Sequence, residues 1–220
     1  MNDKAIKYAP RIYMDKLEPF KIRYVGVAEY KENGEKSLSF NRKFDFSNFE
    51  GTACVLEYVY YLDYDIQHLY DLEHIWVYLG ADGRVTGAEG SYHGRFLNAL
   101  NQEFGGSDEE NRLVMYSQPG KHAMLADPKL MYLYSELYSS CDRLAGINGL
   151  DAPERFLKDI HISAEENQKV ADHIRANYSF VPSMEFVEAE ISGEMYVEWE
   201  VLEKKIPDMI KRELERILDF

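Results

Sequence analysis

The chain has 220 residues and a formal charge of −14 at pH 7. That length buries a real core as one domain, or as one domain with an insertion. The charge excludes a nucleic-acid backbone as natural partner and disfavours an anionic membrane surface, because like charges repel, and it fits cation binding. Seventeen Tyr and eleven Phe predict strands whose rings line a core or a groove. Cys54 and Cys141 lie far apart in apolar or helical surroundings and read as two buried thiols. No disulfide framework is implied, so a reducing cytoplasm is the expected location. The N-terminus lacks an apolar signal core, and no window reaches membrane-spanning length.

In chain order, residues 8–30 alternate apolar and polar around Pro10 and Pro19 and predict two short strands. Asn33-Gly34 is a hairpin-turn signal. Residues 53–62 are rich in β-branched and aromatic side chains and predict a strand. A loop dense in ligating groups follows, then a strand over 73–79, a turn at Asp82-Gly83 and a returning strand over 84–92. Gly87 and Gly90 in that last run mark a bulge or a close approach. Residues 105–111 read as an exposed acidic loop and 113–117 as a further strand, ended by Pro119 and Gly120.

After about residue 128 the pattern turns helical. Leu130, Leu133, Leu137 and Leu144 recur at helical spacing, and Ser163 with Glu166 forms a capping box for a helix to about Ala176. Residues 185–191 alternate as a last strand. Leu202, Ile206, Ile210, Leu214 and Ile217 predict a C-terminal helix, with Pro207 in the first turn of a fresh start. The expected fold class is α+β: an antiparallel β-sandwich over about 8–128 plus the late strand, with a mainly helical extension over 129–220 packed on it. No Gly/Ser/Pro tract separates the two parts, so a single domain is expected.

The densest chemistry lies in Asp65-Ile66-Gln67-His68-Leu69-Tyr70-Asp71-Leu72-Glu73-His74, where three aspartate or glutamate pairs of oxygens and two imidazoles precede an apolar run. Strand alternation puts Asp71 and Glu73 on one side and Leu72 and His74 on the other. His93 and His122 stand at the ends of other predicted strands, so distant groups converge at one sheet edge. Such a carboxylate-rich set without thiolate favours Mg²⁺, Ca²⁺ or Mn²⁺, less often Zn²⁺. Without an ion, carboxyls this close raise one another's pKa, and one serves as a general acid. His93 and His122 are the candidate acid/base residues. Ser91 and His93 share a face, but no acid orients them as a nucleophile pair. His161 and His173 belong to the helical part and read as ordinary surface or core residues.

These residues resemble known families. Tyr70-Asp71-Leu72-Glu73-His74-Ile75-Trp76-Val77 resembles the D-W-E-H-V-x-V strand of the vacuolar protein sorting sixty-two family. Ser91-Tyr92-His93-Gly94 looks like its S-x-H-G, Gly120-Lys121-His122-Ala123 like its S-H-A, and Tyr8-Ala9-Pro10 with Glu18-Pro19-Phe20 like its opening. More distantly, Gln67-His68-Leu69-Tyr70-Asp71-Leu72-Glu73 resembles the G-H-R-H-D-W-E hallmark of the necrosis- and ethylene-inducing-like proteins. That resemblance implies a β-sandwich holding a divalent cation on Asp65, His68, Asp71 and Glu73. Gln67, Tyr70 and Leu72 replace the hallmark's Gly, second His and Trp, which speaks against that family's secreted cytolytic activity.

Three readings follow. In the first, the ion activates water for hydrolysis of a small polar ester or glycoside. In the second, the ion and a tyrosine-rich rim bind a glycan or lipid headgroup without turnover. In the third, the cluster is a metal-free polar network that stabilises its own loop.

Overall fold

The structure, a computed structural model, describes residues 3–100, 107–108 and 112–218. Its elements are α1 (Asp3–Lys7), β1 (Arg11–Asp15), β2 (Ile22–Tyr30), β3 (Thr52–Asp65), β4 (His68–Gly80), β5 (Val85–Tyr92), β6 (Arg95–Asn98), β7 (Val114–Ser117) and β8 (Met124–Leu125). They continue with α2 (Leu137–Cys141), β9 (Gly149–Leu150), α3 (Glu154–Leu157), α4 (Ala164–Tyr178), β10 (Phe186–Glu188), β11 (Tyr196–Glu198) and α5 (Trp199–Leu218). Most of the acidic 105–111 segment lies outside the described residues.

Two open sheets pack face to face. One runs β10-β1-β7-β8, and the other runs β11-β2-β3-β4-β5-β6, with β9 paired beside β4. The fold is α+β and largely antiparallel, although β1–β7, β2–β11 and β4–β9 pair in parallel. The part of the chain after residue 128 adds β10 to the smaller sheet and β9 and β11 to the larger.

The long central hairpin β3–β4 is buried on both faces, so its sequence reads as near-continuous apolar residues rather than a clean alternation. One face packs Leu56, Tyr58, Tyr60, Ile75 and Val77 against Ile12, Met115 and Met124 of the smaller sheet. Gly90 permits that closeness: a Cβ there would lie 2.3 Å from the Met124 carbonyl oxygen. The other face carries Val55, Glu57, Trp76 and Tyr78 beneath the 31–50 segment.

Three expectations need correcting. Gly34 does turn the chain, at φ +87°. It opens a long segment that folds back over the sheet rather than a tight hairpin, because Phe40, Phe44 and Phe46 bury themselves on Trp76 and Tyr78. The 130–144 stretch is a 3₁₀ turn (Pro128–Leu133) followed by the short α2. Leu137 is buried but Leu133 is 82% exposed, so the leucine spacing there does not mark one continuous buried helix face. Pro207 sits inside α5, not at its start. The helix tolerates the missing N–H because Leu202, Ile206, Ile210 and Leu214 all bury on one side of it.

Candidate functional site

The ligand-rich stretch is not a loop. β3 runs through Asp65, a two-residue turn at Ile66-Gln67 follows, and β4 begins at His68. Backbone bonds fasten the tip on both sides: Ile66 N–H donates to Gly120 O (2.7 Å), Gly146 N–H to Ile66 O (2.8 Å) and Asn148 N–H to Gln67 O (2.9 Å).

The segment beside the tip is equally fixed. Gln118 N–H donates to Ala123 O (2.9 Å) and His122 N–H to Gln118 O (2.7 Å), closing a tight turn. Gly120 holds φ +68°, and a Cβ there would meet Cys141 Sγ and Ile66 at 2.9 Å. Its N–H is bound by the Glu18 carboxylate at 2.7 Å. This turn delivers Lys121 and His122 to the tip of the hairpin.

The contacts there are ionic. Lys121 Nζ lies 2.5 Å from Asp65 Oδ2 and 3.1 Å from Gln67 Oε1. Burial alone would lower the lysine pKa, but the charges of Asp65 and Asp71 outweigh it and raise it. His122 is fully buried, with Nδ1 2.7 Å from Asp71 Oδ2 and Nε2 3.4 Å from Glu18 Oε1. Burial opposes its charge; Glu18 and Asp71 prevail, and its pKa is pushed up to about 10. The site therefore holds an imidazolium at neutral pH. Glu73 accepts from the Ser91 hydroxyl, which in turn accepts from His74 N–H at 2.7 Å. Burial and the Asp71 charge hold the Glu73 carboxyl well above the ordinary carboxylate range.

His68 Nε2 is 3.9 Å from Asp65 Oδ2. At the exposed rim His93 stacks on the Tyr134 ring, with centroids 5.0 Å apart, and its Nε2 meets Gln118 Oε1 at 3.1 Å. Burial and the Lys121 charge lower the His93 pKa, which favours the neutral ring. Three buried polar atoms of this cluster, His68 Nδ1, Gln118 Nε2 and His122 Nε2, have no hydrogen-bond partner among the described residues.

The backbone is strained here as well. Among the described residues, four non-glycine residues have positive φ, and three of them surround this cluster: Tyr70 (+88°), His93 (+47°) and His122 (+55°). Such conformations cost about 1–3 kcal/mol each and persist where the surroundings impose them.

Asp65, His68, Asp71, Glu73 and His122 thus gather at one end of the hairpin, with His93 at the rim. Asp71 and Glu73 share a face, as alternation requires. His74 lies on the opposite face, stacked on Trp76 and bonded to Ser39 Oγ at 3.0 Å. Ser91 serves Glu73 rather than His93. Lys121, Glu18, Gln118 and Tyr134 were missed as site residues. Lys121 sits beside His122 in a stretch already singled out, so its charge was the available signal; Tyr134 gave none.

The donor set can be tested against a dication. Among the described residues, no group of three or more His, Cys, Asp or Glu is arranged to hold a metal ion. The pairings give the reason: an ammonium holds Asp65, an imidazolium holds Asp71, and a hydroxyl holds Glu73. As arranged, Asp65, His68, Asp71 and Glu73 do not fit a dication, because the Lys121 ammonium already neutralises the carboxylate that would bind it.

No family model matches the chain, and no curated protein matches it. Among solved structures it resembles necrosis and ethylene inducing protein 2 from the causal agent of cocoa's witches' broom disease, at 19% identity and a TM-score of 0.36, over 56% of this chain and 67% of that one. It also resembles NLPPya in complex with glucosamine, at 14% identity and a TM-score of 0.36, over 55% of this chain and 63% of that one. The complex of NLPPya with mannosamine matches at 17% identity, a TM-score of 0.36 and the same coverage of 55% and 63%. These structures bear the necrosis- and ethylene-inducing name, and none bears that of the vacuolar sorting family. The likeness is distant, and no residue role follows from it.

Proposed function

We propose that the tip of the β3–β4 hairpin recognises a small hydroxyl-rich ligand of the sugar class. In this reading Lys121 and His122 supply the positive charge that the sequence assigned to a divalent cation. The observation that carries it is the convergence of three strained residues, Tyr70, His93 and His122, on one cluster of buried carboxyls. Fold stability gives no reason to concentrate strain there; placing side chains for a ligand does.

The chemistry suits hydroxyl groups. Asp65 and Asp71 accept from hydroxyls, Glu73, pushed toward its neutral form, can both donate and accept, and the Gln118 Nε2 donates. The His93–Tyr134 stack offers an aromatic surface for the C–H face of a sugar ring. A few placed polar groups beside an aromatic wall are the usual composition of a small-ligand site.

Calorimetric titration with neutral, amino and acidic sugars tests this, run with and without a chelator. Binding should survive chelation, weaken at least tenfold in Tyr134→Ala and fall below detection in Asp71→Asn. No binding by any sugar, or binding that Tyr134→Ala leaves intact, overturns it. Binding abolished by chelator, with Ca²⁺, Mg²⁺ or Mn²⁺ raising the Tm, would instead make the cation the ligand's anchor and displace Lys121 from that role. Turnover of chromogenic glycosides that is lost in Glu73→Gln would turn the same site into a catalytic one, with the protonated Glu73 as the acid.

A further inference from the structure

A lysine–cysteine pair lies at the opposite end of the hairpin. Lys4 on α1 has Nζ 3.0 Å from Cys54 Sγ on β3 and 2.5 Å from Glu29 Oε1 on β2. The lysine is held there by its neighbours. Ala5 is buried with its carbonyl bonded by the Tyr58 hydroxyl (2.8 Å), and Tyr8 donates to Gly83 O (2.7 Å). The Lys4 side chain is 33% exposed, so small solutes reach the pair, while Cys54 is 7% exposed and shielded from large thiols and from other protein molecules.

We propose that Lys4 and Cys54 form a covalent nitrogen–oxygen–sulfur bridge, with dioxygen as the oxidant. The site is a pair of complementary groups rather than a thiol alone. A nitrogen and a sulfur 3.0 Å apart are separated by the span of one bridging atom, so inserting oxygen asks for little movement of either side chain. In the balanced step the Lys4 ammonium, the Cys54 thiol and one O₂ give the N–O–S bridge, one water and one proton. The nitrogen and the sulfur each give up an electron pair, and dioxygen takes both pairs. One oxygen atom stays in the bridge; the other leaves as water. N–H and S–H bonds break, and N–O and O–S bonds form. Glu29, in contact with Nζ, is placed to accept the proton the ammonium must release before the nitrogen can react.

The bridge would staple the first helix to the central strand across 50 residues of sequence. Like a disulfide, it restricts the unfolded chain and so raises stability. Unlike a disulfide, it needs only one cysteine, and Cys141 elsewhere in the core takes no part.

The test is mass spectrometry on the full chain after aeration, without reductant. The expected result is an intact mass higher by one oxygen and lower by two hydrogens. Fragmentation should join the Lys4 peptide to the Cys54 peptide, and dithiothreitol should reverse the change. Lys4→Arg, which keeps the ion pair to Glu29, and Cys54→Ser should both lack it. The aerated wild type should melt several degrees above its reduced form, a difference absent from Lys4→Arg. Cys54 remaining fully alkylatable after aeration and denaturation overturns the proposal. So does oxygen on Cys54 with no link to Lys4, or a link whose mass shows no added oxygen.

Discussion

Two carboxyl clusters are buried on opposite faces of the same hairpin, and they differ in one respect that matters. Beneath the 31–50 segment, Glu57 accepts from Tyr30 (2.6 Å), Ser37 (2.6 Å) and Trp76 (2.7 Å). Nearby Glu89 pairs with Arg42 (2.7 Å) and accepts from Tyr78 (2.7 Å), while the guanidinium carbon lies 3.9 Å from the Phe96 ring centre. These acids sit on ordinary strand backbone; neutral donors satisfy Glu57, and the Arg42 guanidinium neutralises Glu89. At the hairpin tip, by contrast, one carboxyl is driven toward protonation and three residues have strained backbone. A satisfied buried acid is scaffold. An acid cluster ringed by residues of strained backbone is built for something that arrives from outside.

The largest expected effect breaks the scaffold side of this contrast. Glu57→Ala leaves three buried donors without an acceptor and should cost roughly 3–5 kcal/mol in urea unfolding. Next is pH. His74 on the scaffold face has its pKa lowered to about 4 by burial, so its folded form is neutral. It contributes stability above its unfolded pKa of about 6.5, lost as pH falls through 4. His122, raised to about 10, does the reverse: its contribution is complete below about 6.5 and is lost as pH rises through 10. Melting temperature against pH should fall on both sides, with His74→Gln flattening the acid limb and His122→Gln the alkaline one. A single mutation flattening both limbs would show that the faces are not independent.

Gly120→Ala should cost roughly 1–3 kcal/mol, through positive φ and the contact with Ile66, and should weaken sugar binding by displacing Lys121 and His122. The smallest effect is Glu73→Gln. Because the Glu73 carboxyl is already pushed toward its neutral form, the isosteric amide should change stability by under about 1 kcal/mol in the same urea measurement. A large loss there would mean that Glu73 is ionised and that the tip is scaffold too.

Strands of the hairpin, the Ser163 capping box and the C-terminal helix were legible because each is a local pattern: β-branched and aromatic runs, a four-residue cap, a repeat at helical spacing. Asp71 and Glu73 on one side with His74 on the other was legible for the same reason, since alternation follows from the pleat. The Glu57 network was not legible, because a lone glutamate in an apolar strand looks like an edge residue until a segment from elsewhere covers it. Nor was Lys121's role.

What the sequence by itself determined is the apolar body of the two long strands, which face their side chains take, and that a dense set of acids and imidazoles sits near one turn. Only the tertiary structure decided which charges meet. Asp65 found Lys121 and Asp71 found His122 through a separate turn brought in by Glu18 and Gly120, and at contact distance such pairing outweighs anything spacing along the chain can encode.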